Sequence, residues 1–387
     1  MSRHFTMVVS DVHLAPVFRS DRLPFRGPAF QPDAELSRAI DRALEIARRN
    51  QGALELVLAG DFFDLDVAQN PWDVENASRT LDVRTAAGAA KALAATLRDH
   101  PGVVLALRRA LTAGTRVTIV PGNHDAQLAI PAVAAVLRAS VEPPPTDLRL
   151  RLRPWCHITA DGAVVVEHGH QYDPLCVVRR LVPHAHGDGP GDLRAEATIG
   201  TVSSFYAPLL IPGSDPFAVD PFVERRGMRA ILMDALSRGG AAIHAMRELI
   251  LASADEPEPD PTPALAAELG VDPQIVGLRR ALFADKATAR ALLDLAQETP
   301  GAYGRLVEHA TARAMTTATD VHRARVAVVG HTHAPRRSDL PNGAVLLNSG
   351  SWTPRRSSGD PVGSFAWIVT SDGHVVDAHV EPVRRER

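Results

Sequence analysis

A chain of 387 residues, 45% hydrophobic and 22% charged, has the make-up of an ordinary globular protein and is long enough for one large domain or a domain carrying an insertion. Its net charge of -3 argues against wrapping duplex DNA by bulk electrostatics. Two cysteines, Cys156 and Cys176, exclude a disulfide framework and a Cys-x-x-Cys zinc pattern. No apolar run approaches the ~20 residues of a membrane span. Met1–His4 leads straight into a strand, leaving no room for a signal peptide, so the expected location is cytoplasmic.

Taken in order, Phe5–Ser10 is a short apolar strand ending at Asp11-Val12-His13, whose alternation points Asp11 and His13 to one side. A proline-rich loop follows. Asp33 is then the expected N-cap of a helix with Leu36, Ile40, Leu44 and Ala47 on one face. Leu54–Ala59 is a buried strand stopping at Gly60-Asp61-Phe62-Phe63-Asp64. Residues 74–113 are rich in alanine and leucine and read as helical, with a break near Pro101-Gly102. The β-branched run Val117–Val120 meets Pro121-Gly122, which places Asn123, His124 and Asp125 on a loop at a strand's C-terminal end, where open α/β sheets bind ligands. Pro131–Ala139 reads as a helix and Pro143–Pro145 as a stiff link. Leu148–Leu152 has the alternation of a half-exposed strand. Trp155–Ala160 and Ala163–Val166 form an expected hairpin around Asp161-Gly162, ending at Glu167-His168-Gly169-His170.

The texture then changes. Between Tyr172 and Val321 strand signals disappear, and helical stretches (227–252, 264–269, 273–296 and 303–319) alternate with proline-rich loops. Asp255–Pro263, with four prolines and four acids, is a solvated connector. Strand pattern returns at Arg325–Val329, ending in Gly330-His331-Thr332-His333. Ala344–Asn348, Phe365–Thr370 and His374–Val380 complete a β-rich end with a Ser371-Asp372-Gly373 turn. The expected organisation is an α/β body, residues 1–171 plus 322–387, interrupted by a helical insertion, residues 172–321.

Successive strand ends therefore carry Asp11 and His13, Asp61, Asn123 and His124, His168, and His331 and His333. Hard carboxylate and amide oxygens with imidazole nitrogens, and no thiolate, suit manganese, iron or zinc; calcium takes oxygen alone. The set is too large for one ion. A carboxylate bridging two divalent ions ~3.5–4 Å apart is the natural solution.

In that order, Asp11-x-His13, Gly60-Asp61-x-x-Asp64, Gly122-Asn123-His124-Asp125, His168 within His-Gly-His and Gly330-His331-x-His333 resemble the motif set of the calcineurin-like metallophosphoesterase superfamily. The resemblance implies an α/β four-layer sandwich, two β-sheets flanked by helices, with the metals at the C-terminal ends of the sheets and the insertion acting as a cap. It implies that Asp11, His13 and His333 hold a first ion, Asn123, His168 and His331 a second, and that Asp61 bridges them. Manganese is the first expectation, with iron or zinc as alternatives. It implies that His124 contacts the scissile phosphate or protonates the leaving group, with Asp64 orienting it. His170 is read as support. The implied reaction is hydrolysis of a phosphodiester, phosphomonoester or pyrophosphate by hydroxide attacking in line.

The insertion lies between the His168 and His331 blocks, so both its ends approach the site. Its apolar start, Ser203–Phe222, with Arg179, Arg180, Arg225, Arg226 and Arg229 nearby, suits either a packed cap with a solvated basic surface or a pocket for an anionic substrate with an apolar part. The expected partner is thus a phosphorylated small molecule or nucleotide, lipid-linked in one version. A helical cap here and Ser10-Asp11-Val12-His13-Leu14 are similar to the UDP-diacylglucosamine pyrophosphohydrolases, but those carry arginine where this chain has His124 and their insertion is shorter. A nuclease would want a basic, aromatic-lined groove, and aromatics are only 5% here. A non-catalytic scaffold is the remaining alternative, opposed by the full ligand set.

Overall fold

A computed structural model describes residues 3–17, 31–65, 85–142, 150–179, 181, 184–185, 193–196, 198, 260–285, 302–353 and 361–385. The proline-rich loop 18–30, the helical patterns at 74–84, 227–252 and 286–296, Pro143–Pro145, the connector residues 255–259, the segment Ser203–Phe222 and Arg180, Arg225, Arg226 and Arg229 lie outside the described residues. In chain order the elements are β1 (Arg3–Val9), α1 (Asp33–Arg49), β2 (Ala53–Ala59), α2 (Ala86–Asp99), α3 (Pro101–Thr112), β3 (Arg116–Val120), α4 (Pro131–Val141), β4 (Leu150–Leu152), β5 (Cys156–Ile158) and β6 (Val164–Glu167). A two-residue pair, β7 (His184–Ala185) and β8 (Leu193–Arg194), comes next. It is followed by α5 (Thr262–Leu269), α6 (Pro273–Arg280), α7 (Ala302–His322), β9 (Val326–Val329), β10 (Arg336–Asp339), β11 (Val345–Asn348), β12 (Gly363–Ser371) and β13 (His374–Val383).

The architecture is mixed α/β with two principal sheets. The first has the order β13-β12-β1-β2-β3-β4 and the second β10-β11-β9-β6-β5. In the first, β1 to β4 are parallel and β12 runs antiparallel to β1; in the second, β6, β9 and β11 are parallel. Parallel strands buried on both faces need continuous apolar runs, which these segments supply. Alternation then sorts each strand between two cores. Phe5, Met7 and Val9 of β1 and Leu54, Leu56 and Leu58 of β2 pack with α1 to α4, whereas Val8, Val57 and Ala59 meet Val164, Val166, Val326 and Val328 of the second sheet. On the other face of the second sheet, Val165, Ala327 and Val329 pack against Ala314, Met315 and Ala318 of α7. Each large aliphatic side chain fully buried this way contributes about 1.5–3 kcal/mol.

Some local expectations are met, among them the helix break at Pro101 and the turn at Asp372-Gly373, and others meet a different outcome. Asp33 is not an N-cap. It is the first helical residue after Pro32, and its carboxylate takes a hydrogen bond of 2.8 Å from His100 Nδ1, pinning α1 to the α2–α3 junction. The helical pattern of 85–113 is two helices, split where Pro101 opens α3, with Thr85 capping α2 through Gly88 N at 3.1 Å. The pattern beginning at Pro273 stops being helical after Arg280. Strand β10 was unforeseen because Arg336-Arg337-Ser338-Asp339 has no apolar residue; it is a charged edge strand. The β12–β13 turn has Asp372 and Gly373 both at positive φ, the pairing a tight two-residue hairpin demands. Among the described residues no helix is long and apolar enough to cross a membrane.

One charge is buried between the sheets at the end remote from the strand-end loops. Glu55 accepts a 2.7 Å hydrogen bond from His157 of β5 and lies 3.4 Å from His4 and 3.6 Å from Arg116. Burial opposes its ionisation, but His157, His4 and Arg116 outweigh burial and hold the carboxyl well below the usual range. A carboxyl depressed in the folded state contributes stability above its unfolded pKa of about 4.5 and loses it as pH falls further. Melting temperature measured from pH 7 to pH 3 should therefore fall less steeply below pH 4.5 in Glu55→Gln than in the parent, although the variant starts lower.

Candidate metal centre

All the sequence-predicted site residues lie on loops leaving the C-terminal ends of β1, β2, β3, β6 and β9. The chain reaches this geometry at a conformational cost. Asp11, His13, Asp61, His331 and His333 all sit at φ between 49° and 70°, the left-handed region that non-glycine residues avoid. Such residues persist where surrounding structure over-determines them. Here the restraint is specific: Asp11 N and His13 N donate to the carbonyls of Gly60 and Asp61 at 3.1 and 2.9 Å, and Trp352 N donates to Asp11 O at 2.9 Å. The loops also approach so closely that a Cβ on Gly60 would enter the His168 ring and one on Gly122 would strike the Asp61 carboxylate.

The resulting groups are compact. Asp11, His13 and His333 offer donor atoms within 4.8 Å of one another, as do His13, Asp61 and His124, and Asp61, His168 and His331. Asp61 thus belongs to two of the three groups and lies between the other members. His333 Nε2 is 3.3 Å from Asp11 Oδ1 and 3.2 Å from His13 Nε2; His168 Nε2 is 3.1 Å from Asp61 Oδ2. Asn123 Oδ1 is buried without a hydrogen-bond partner, and His168 Nε2 faces the Asp61 carboxylate. Buried polar atoms left this way are costly unless something else satisfies them. A buried amide oxygen left open and an imidazole nitrogen turned to a carboxylate that two donor groups share fit divalent ions, and the oxygen and nitrogen set matches hard to borderline metals.

Hydrogen bonds outside the cluster fix which imidazole nitrogen faces it. His13 Nδ1 meets Asp64 Oδ1 at 2.8 Å and His168 Nδ1 donates to Ala59 O at 2.9 Å, leaving Nε2 of each ring for the cluster. Asp64 is closer to His13 than to His124, whose Nδ1 is 3.4 Å away, so one carboxylate serves both rings. The His124 backbone N–H donates to Asp61 Oδ1 at 2.8 Å, and its ring stands edge-on to His13 at 5.1 Å.

The electrostatics are those of opposite charges crowded together. Burial works against ionised Asp61, but the rings of His168, His124 and His13 hold its carboxyl well below the usual range. Burial likewise works against protonated His168, but Asp61 and Asp11 push it up to about 9. For His170, burial and the neighbouring His168 and His331 outweigh the pull of Asp61 and depress it, and it belongs to none of the donor groups.

Asp125, Asp173, Ser349 and Asn348 shape the site from outside the proposed ligand set. Asp125 accepts from the backbone N–H groups of Gly122, Asp61, Phe62 and Phe63 at 2.6, 3.3, 2.9 and 3.2 Å, clasping the β2 and β3 loops together. Burial and the Asp61 charge push its carboxyl up to about 7 against the pull of those donors. Asp173 meets His331 Nε2 at 2.9 Å, and with Cys176 and His331 forms a further compact group. Desolvation and the adjacent Asp173 hold the Cys176 thiol well above the usual range, so it offers no thiolate at neutral pH. Ser349 bonds Ser10 at 2.6 Å while its neighbour Asn348 donates to Gly330 O and Thr332 Oγ1 at 3.0 and 2.9 Å. The only sequence signal for Asp125 and Asp173 was position, each being the acid that follows a histidine block.

No family model matches this chain, and no curated protein matches it. Among solved structures, a dimetal phosphatase from Danio rerio aligns at 13% identity over 94% of this chain and 92% of its own, with a TM-score of 0.36. A phosphopantetheinyl hydrolase from Mycobacterium tuberculosis aligns at 13% identity over 92% of this chain and 94% of its own, with a TM-score of 0.27. These scores are too low to establish a common fold, so the chemistry of the site stands on its own side chains.

The Asp125 clasp gives a direct stability test. Asp125→Ala strands four buried N–H donors, each worth about 1–3 kcal/mol when unsatisfied. Urea unfolding should show a loss of roughly 3 kcal/mol or more, with Asp125→Asn recovering part of it.

Proposed function

We propose that this chain is a metal-dependent phosphoesterase built on two divalent ions. The observation that carries the reading is the shared carboxylate. Asp61 lies within the reach of two donor groups at once, with His168 Nε2 3.1 Å from it, and the buried Asn123 Oδ1 has no hydrogen-bond partner. In this reading Asp11, His13 and His333 would hold one ion and Asn123, His168 and His331 the other, with Asp61 shared between them. Manganese suits the donor set best, with iron or zinc next. The inter-sheet core and the helices outside both sheets support a four-layer sandwich. Residues 1–171 and 322–387 form its catalytic body and 172–321 its cap.

When bound, the ions supply a hydroxide at neutral pH and neutralise phosphoryl charge. The chain's own side chains do the rest. His124 faces the cluster from the β3 loop and delivers a proton to the leaving oxygen, while Asp64 holds its ring from the opposite side. The Asn123 side chain turns a polar group to the phosphoryl oxygens and stabilises charge gathering there. Buried walls, including Phe62 and Phe63, limit water at the β2 loop. The substrate is a phosphorylated small molecule or nucleotide. Monoester, diester and pyrophosphate bonds share this chemistry, and the cap selects among them.

The experiment is hydrolysis of chromogenic phosphate mono- and diesters after chelation and re-addition of Mn²⁺, Fe²⁺, Zn²⁺ or Mg²⁺. Turnover should return with metal and be lost in Asp61→Asn. His124→Gln should keep metal binding and lose about 10²–10⁴-fold in kcat. Metal-independent turnover, or a His124→Gln variant as fast as the parent, would remove the basis for this reading.

A further inference from the structure

Every histidine ring that this cluster orients through a protein hydrogen bond has an identifiable anchor. Asp64 serves His13 and the Ala59 carbonyl serves His168. The third ring is His331. Its backbone N–H is spoken for by the Asp11 carboxylate at 3.0 and 3.1 Å, which fixes the main chain but not the ring. The ring is held instead by Asp173 Oδ2, 2.9 Å from Nε2, so the nitrogen left toward Asp61 and His168 is Nδ1. Asp173 is itself buried, and its other oxygen accepts both Leu175 N at 2.8 Å and the hydroxyl of Tyr303. Tyr303 stands in the first turn of α7, and the later turns of that helix pack on the second sheet through Ala314, Met315 and Ala318.

We infer that Asp173 is the positioning residue of His331, and that Tyr303 locks it, so that α7 sets the geometry of one half of the centre and not the other. The inference rests on the two-ion reading above. A carboxylate that accepts one imidazole N–H fixes the tautomer and the ring plane and makes the opposite nitrogen a better donor. The alternative use of this cluster, a separate ion held by Asp173, Cys176 and His331, competes with the bonds already made. Asp173 Oδ1 is engaged by two donors and His331 Nε2 by Asp173 Oδ2. The arrangement is also one-sided. Asp173 touches His331 alone among the proposed ligands, whereas the Asp11, His13 and His333 group lies with Asp64 at the ends of β1, β2 and β9.

The test is a Mn²⁺ titration of the chelated full-length protein, followed by electron paramagnetic resonance and by metal analysis after gel filtration. The parent should take two ions and develop an exchange-coupled signal. Asp173→Asn should retain one ion at parental affinity, bind the other about 10–100-fold more weakly, and show a mononuclear signal at intermediate metal. Tyr303→Phe, which leaves the carboxylate in place, should shift the same ion in the same direction by a smaller factor. Circular dichroism melts establish that each variant is folded; should Asp173→Asn not fold, Tyr303→Phe alone decides. Two ions bound with parental affinity in the variants would overturn the inference. So would equal weakening of both ions, since that marks a general structural role. A parent that binds fewer than two ions would instead overturn the two-ion reading on which it rests.

Discussion

Everything at the strand ends depends on the confinement of Asp61. Its backbone N–H and those of the next two residues are gripped by the Asp125 carboxylate, and its side chain accepts the His124 N–H. It also stands 3.1 Å from His168 and fills the space a Gly122 side chain would need. The ends of two strands of the first sheet, β2 and β3, and of one strand of the second, β6, thus meet around one residue. Two anionic side chains, Asp61 and Asp125, cannot sit side by side in a protein interior without compensation. Asp125 is compensated by four N–H dipoles, whereas Asp61 is compensated by imidazoles in the protein and, in the proposed function, by cations.

That confinement explains why strain concentrates here. Residues held in the left-handed region cost of order 1–3 kcal/mol each, and five of the proposed ligands occupy it. Such a cost is sustainable only because the flanking strands are locked into cores on both faces. Val8, Val57, Val120, Val164 and Val328 pack together between the sheets, and Met7, Leu56 and Ile119 fix the strands of the first sheet from the helical side. The loops cannot relax without dragging fully buried strand residues with them. A site whose donor atoms are already in place binds its ligand without first ordering the chain.

Much of this was legible in the sequence because two periodicities and one punctuation rule carry it. Apolar runs ending in Asp, Asn or His, with a glycine before the donor after β2, β3 and β9, marked β1, β2, β3, β6 and β9 and the donors beyond them, and the structure brings those donors together. What could not be read was partnership across the chain. Asp33 carries the composition of a helix cap, yet His100, 67 residues on, claims its carboxylate. Asp125 sits inside a block that sequence had already singled out, but its partners are main-chain N–H groups of another loop, which leave no trace in side-chain pattern. Asp173 follows a 3-10 turn outside any strand, and its lock, Tyr303, is 130 residues away. Strand β10 has no apolar residue to announce it, since an edge strand can form from backbone pairing alone.

The segment between β6 and β9 takes hold of the site at two histidines by different means. Tyr303 reaches His331 through Asp173. Arg279 of α6 reaches the residue before His168: it pairs with Glu167, whose carboxylate also takes the Trp155 indole N–H at 3.1 Å and the Tyr172 hydroxyl at 2.8 Å. The guanidinium lies 4.4 Å over the Trp155 ring and is almost wholly buried. As a device for stability alone such a pair is poor, because desolvating both charges offsets most of their attraction and well-packed apolar residues serve as well. Apolar packing, however, does not fix the rotation of a strand end. Three directed donors on one carboxylate do, and the strand end they fix is the one from which His168 presents its nitrogen to Asp61. Orientation at this precision is what a shared-carboxylate centre requires of its surroundings, since an ångström of drift in either ring separates the two donor groups that Asp61 joins.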